Sequence, residues 1–178
     1  RNQQKRDMVT EIAATLAFSA IQNNDKIGVI FFSDKIEKYI PPKKGRKHIL
    51  YIIRELLDFT PQSNQTDISV ALEFLSGVAK RHCTAFMMSD FYDRKSFLHP
   101  LTISNRKHDV VAIQVYDWWE RRLPDVGLLK VRDAESGYEQ YIDTGSKKLR
   151  DLHQRNWNNR QASLHEVFTK SNVDNVSI

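Results

Sequence analysis

Two side chains in this sequence have the type and spacing for hard-cation chemistry. One is Thr66, in the stretch "NQTDISVAL" (Asn64 to Leu72); the other is Asp90, which ends "CTAFMMSD" (Cys83 to Asp90). A hydroxyl and a carboxylate are oxygen ligands of the kind that Mg²⁺ or Ca²⁺ takes. Thr66 opens a helix-spaced apolar run and Asp90 ends the next strand-like run, so a βα unit brings both to one edge. Two ligands fall short of a site, because Mg²⁺ needs octahedral oxygens and more anchoring than one pair supplies. On local spacing alone, a helix-capping Thr and a turn Asp explain the same letters. Asp34 and Asp117 end two further strand-like runs, and with Glu120 they are the candidate rim of such an edge.

Other reactive residues point to less. Cys83 is followed by an apolar strand-like run and reads as a buried structural thiol. The six histidines include no pair spaced one helical turn apart, so no zinc site is visible. "DRK" (Asp93 to Lys95) has the letters of a nuclease-like Asp-x-Lys but follows a strand end instead of lying within a strand. Trp118-Trp119 reads either as an exposed anchor or as a pair packed under a loop, the commoner fate of aromatic residues at a strand end.

These residues need elements to position them. Residues 5–23 place Met8, Ile12 and Leu16 on one helical face. "KIGVIFFSD" (Lys26 to Asp34) is a continuous apolar run, the pattern of a central parallel strand buried on both faces. "KIEKYI" (Lys35 to Ile40) pairs with it as a hairpin and Pro41-Pro42 ends it. Helices follow over Arg46–Phe59 and Asp67–Arg81, then the strand Cys83–Asp90. A helix over Arg94–Lys107 with Pro100 disturbing its middle leads into a strand over Asp109–Asp117. Gly127–Asp143 reads as two short strands around a Ser136-Gly137 turn. Lys147–Lys170 is a long helix with Leu149, Leu152, Leu164, Val167 and Phe168 inward, and Val173–Ile178 begins a last strand. Buried strands alternating with amphipathic helices predict an α/β fold, a mostly parallel sheet with helices on both faces. Ligands of such sheets sit at the carboxyl ends of the strands.

Composition agrees with one compact domain over residues 1–178, with 40% hydrophobic and 28% charged residues. No apolar stretch reaches membrane-spanning length. One cysteine excludes an internal disulfide and fits a reducing compartment such as the cytoplasm, with a membrane segment upstream still compatible. The net charge of +5 is modest, and its clusters (Lys43 to Lys47, Ala79 to His82, Glu120 to Arg122) are scattered without alternating aromatic residues. Nucleic-acid binding is therefore not expected, whereas an acidic partner would gain from the charge.

"NQTDISVALEFL" followed by "TAFMMSDFYD" resembles two parts of the metal-ion-dependent adhesion site of von Willebrand factor type A domains. "KIGVIFFSD", "IPPKKGRKH", "DAESG" (Asp133 to Gly137) and "VYDWWERRLPDVG", with Asp117 and Glu120, resemble a bacterial branch of unknown function on that fold. The resemblance implies a three-layer α/β fold and a protein-interaction module without enzymatic activity. Thr66 and Asp90 would bind Mg²⁺ or another divalent ion together with an Asp-x-Ser-x-Ser loop at the end of the family's central first strand. No Asp-x-Ser-x-Ser occurs here. The expectation is therefore a domain truncated before that strand, and after its last one, that holds the ion weakly or not at all. Neighbouring strands then close up, recruit a segment, or self-associate. The resemblance further implies a protein partner among AAA-type ATPases. The rival reading is a metal-dependent enzyme or nucleic-acid-binding protein using the acidic edge of Asp34, Asp90 and Asp117.

Overall fold

The computed structural model describes residues 2–93, 95–132 and 138–178. Helix α1 (Asn2–Gln22) packs on a later helix, burying Thr10 and Ala17, whereas Met8 on the expected apolar face is 38% exposed. Strands β1 (Ile27–Phe32) and β2 (Ile36–Lys43) form an antiparallel hairpin and a sheet of their own. The hairpin falls where expected, closed by the Ser33 amide donating to the Lys35 carbonyl at 2.8 Å, but β1 is not a central parallel strand, since among the described strands it pairs only with β2. The continuous apolar run has a different cause. Phe31 points into a small core with Ile40 and Ile52, and Phe32 packs against the main core, so both faces of β1 are covered. Nor do Pro41 and Pro42 end β2, which runs through both. At an edge, the missing N–H costs no ladder bond.

Helix α2 (Arg46–Asp58) buries Ile49 and Ile52 over the hairpin and against α1. Helix α3 (Ile68–Val78) leads to β3 (Thr84–Ser89), α4 (Leu98–Lys107) and β4 (Asp109–Gln114). Pro100 sits in the first turn of α4, where a missing N–H is tolerated, and not in its middle. A single turn, α5 (Trp118–Arg121), precedes the antiparallel pair β5 (Leu128–Arg132) and β6 (Glu139–Asp143); the Ser136-Gly137 turn expected between them lies outside the described residues. Helix α6 (Lys147–Ser171) ends on Asn172 in the left-handed region and hands over to β7 (Asp174–Ser177).

Strands β3, β4 and β7 form the one parallel sheet among the described residues, in that order. The parallel expectation therefore holds for this part only. Its covered face carries α3, α4 and α6 through a core of Ile68, Leu72, Met87, Leu101, Ala112 and Phe168. On the opposite face of β3, Phe86 stays 44% exposed, so the second helical layer does not close over that strand. Along α6, Leu152 is 48% exposed instead of inward; Trp157, absent from the expected stripe, is buried against Tyr116. No described helix is long and apolar enough to cross a membrane.

Candidate docking edge at the carboxyl ends of the strands

Asp90 leaves β3 where the parallel register ends, and the chain then turns sharply. Phe91 has φ 53, a left-handed conformation uncommon for a bulky residue. Two side chains hold that turn: Ser89 Oγ accepts from the Phe91 amide at 3.0 Å, and Asp90 Oδ1 accepts from the Tyr92 amide at 3.1 Å. Burial of the Phe91 ring against Phe97 and Phe168 stabilises the same turn from the core side. The other oxygen, Asp90 Oδ2, lies 3.5 Å from Lys5 Nζ, and that ammonium lies 2.7 Å from Glu120 Oε1. Three elements thus converge: α1 brings the cation, β3 one carboxylate and α5 the other. Asp117 sets α5 by accepting from the Trp119 amide at 2.8 Å, and the His153 Nε2–H donates to the Glu120 carbonyl at 2.8 Å.

A second acidic cluster lies at the start of α3. Asp67, not Thr66, is the N-cap: its Oδ1 accepts from the Ser69 amide at 3.1 Å. Asp is at least as good a cap as Thr, because its carboxylate also answers the partial positive charge of the helix end. Asp93 Oδ2 accepts from the Ile68 amide at 2.8 Å, so two carboxylates serve one helix start. Lys95 Nζ closes the cluster at 2.6 Å from Asp67 Oδ2. That hydrogen bond holds the Asp67 carboxyl below its usual range and raises the Lys95 ammonium. Asp34 adds its charge near Lys95; a hydrogen bond with Ser63 keeps its carboxyl low.

The structure therefore brings Asp90 and Glu120 together, with Asp117 adjacent as a cap, and puts Asp34 in the other cluster. Thr66 is half-buried, with no side-chain hydrogen bond to a described residue. Its expected role of opening the helix passes to Asp67. The donor set does not by itself fit a divalent ion. Both oxygens of Asp90 are engaged, a lysine ammonium stands between the carboxylates, and no three acidic, histidine or cysteine side chains among the described residues group to hold a metal.

Sequence reasoning passes over Lys5 and Asp67 and sets aside Asp93 and Lys95. Only the last three carried a local signal, in "TD" before a helix and "DRK" after a strand. Cys83 is half-buried and not fully sequestered; its Sγ lies 3.5 Å from the buried His108 Nδ1, and burial pushes the thiol up. Trp118 and Trp119 are exposed, 61% and 45%, and do not pack under a loop.

The fold is a mixed α/β architecture shared with solved proteins of distant sequence. BatB, a conserved hypothetical protein from Bacteroides thetaiotaomicron, matches with a TM-score of 0.63 at 12% identity, over 97% of this chain and 79% of that one. An aerotolerance-related membrane protein from Bacteroides fragilis matches with a TM-score of 0.58 at 15% identity, over 95% and 80%. The chain itself belongs to DUF58, a family described as a protein of unknown function, whose profile matches residues 1–163. Among its relatives, the uncharacterized protein Rv1480 of Mycobacterium tuberculosis is 29% identical over 136 residues. That match takes in 75% of this chain and 43% of the relative, so the chain spans less than half the length of that protein. The uncharacterized protein MAV169 of Mycobacterium avium is 29% identical over 114 residues, 63% of this chain and 67% of the relative.

Proposed function

We propose that this DUF58 domain is a non-enzymatic protein-interaction module of the von Willebrand A type, whose docking edge is formed at the carboxyl end of β3. The observation that carries this reading is the convergence of Asp90 and Glu120 on the Lys5 ammonium at the sheet edge where such folds bind. The state of the sheet supports it. Among the described strands β1 pairs only with β2, and β3 only with β4, so each keeps one open edge. Helix α3 packs on β1 and shares the main core with Met87 of β3, which sets both edges beside one helix. In this reading a strand from sequence outside these residues, or from another chain, pairs with these edges and is the family's central strand.

A loop following that strand supplies the oxygens the present donor set lacks. In the longer protein, Thr66 and Asp90 then belong to a divalent-cation site, with Mg²⁺ as the expected ion. An acidic protein partner suits the basic balance of the chain, and a AAA-type ATPase working in the cytoplasm is the partner class this reading names. The test is calorimetric titration of Mg²⁺ into the longer protein, native and with Thr66→Ala or Asp90→Ala. Each substitution is expected to weaken binding by about tenfold or more. Unchanged affinity in both sinks the site assignment. A steeply salt-dependent affinity for DNA or RNA would favour the rival reading of the acidic edge.

A further inference from the structure

We infer that the recess beside α5 docks an acidic peptide segment of a protein partner, with Trp118 and Trp119 as apolar contacts and Arg122 and Lys147 as charge contacts. This inference rests on the interaction-module reading but uses a different surface from the Asp90 edge. Two adjoining concavities, of about 490 and about 450 Å³, share Trp118, Arg122, Leu123 and Arg150 in their walls. Two tryptophans exposed side by side leave a large apolar area in water, and tryptophan with arginine is the pairing that most often carries interface energy.

The recess is also held in shape before anything binds. Asp117 caps the turn that presents both rings. Arg150 pairs with Asp125 at 3.0 Å and donates to the carbonyls of Thr144 and Gly145 at 2.5 and 2.9 Å, tying the base of the β5–β6 hairpin to α6. The Arg121 guanidinium lies over the Trp118 ring, 5.4 Å from its centre.

Charge decides the occupant. Of the four cations in these walls, Arg150 is engaged by Asp125 and Arg121 by a ring, while Arg122 and Lys147 have no carboxylate partner among the described residues. Two uncommitted cations beside an apolar surface match one or two carboxylates flanking a hydrophobic side chain. A nucleic-acid backbone asks for a run of cations, more than the two uncommitted ones in these walls supply.

The experiment titrates a short peptide of Glu and Asp around a central Leu-Phe pair into the native chain. Binding is read by calorimetry and by tryptophan emission; Trp157 is buried, so a blue shift reports Trp118 and Trp119. The expected result is binding with a blue shift. Trp118→Ala, and the pair Arg122→Glu with Lys147→Glu, should each weaken it by about tenfold. Lys147 opens α6, where an acid suits the helix end, so that variant keeps its fold. No binding by the native chain, or affinity untouched by both variants, overturns the inference. Tighter binding of a single-stranded oligonucleotide overturns the partner class. Failure here alongside a successful Mg²⁺ titration of the longer protein leaves the Asp90 edge standing and removes only this surface.

Discussion

At the scale of single residues, the acidic edge is neutralised by lysines that sit next to carboxylates only after folding. Asp67 shows what one such side chain does. It caps α3, takes the Lys95 ammonium, and is 7% exposed. Asp67→Ala removes both roles and is expected to cost about 0.5–2 kcal/mol, read as a lower urea midpoint. Asp67→Asn keeps a good cap and loses the charge, so it should cost less and separate the two effects. The sign with pH follows from the lowered carboxyl. Its contribution is present above the unfolded value of 3.8 and is lost as pH falls through the lower folded value. The native chain should therefore lose more stability across that acid range than Asp67→Asn does. Parallel losses in the two proteins would refute an ionic contribution from Asp67. The pairing was partly legible, since "TD" before an apolar run announces a cap. Which of the two residues caps is a matter of backbone angle at Asp67, φ −134 and ψ 100, and no letter states that.

At the scale of elements, the β1–β2 hairpin depends on a close backbone approach. A Cβ on Gly28 would stand 2.7 Å from the Ile40 carbonyl oxygen and 2.9 Å from the Pro42 nitrogen, both backbone atoms that cannot swing aside. The ladder already shifts register between Ile27 and Val29. Gly28→Ala must push the strands apart, and overpacking of this kind costs about 1–3 kcal/mol, measurable by chemical denaturation. A midpoint equal to the native one would show that the hairpin opens freely. Periodicity places the helices α2 and α3 and the runs of β3 and β4 where the structure has them, although Leu57, on the apolar stripe expected for α2, is 54% exposed. The hairpin partner of β1 is legible in the sequence, but its place outside the parallel sheet is not, because a run apolar on both faces looks the same in a central parallel strand and in a hairpin clamped between two cores.

At the scale of the whole molecule, the open edges set the behaviour. Neither β1 (IGVIFF) nor β3 (TAFMMS) carries a charge or a proline to discourage pairing. The chain is expected to self-associate as concentration rises, seen by sedimentation velocity, and Phe86→Lys, placing a charge on the exposed face of β3, should suppress it. A native chain that stays monomeric at every concentration would mean that the edges are already shielded. By itself the sequence determined the alternation of elements, the carboxyl-end acids and the split between buried runs and polar turns, because these follow from local periodicity and turn chemistry. Tertiary structure alone decided that Lys5 would stand between Asp90 and Glu120, 85 residues from the first of them, and that Trp118 and Trp119 would face water beside Lys147 and Arg150. Those placements depend on how α1, α5 and α6 dock, and docking is set by packing between distant segments, which leaves no period in the letters.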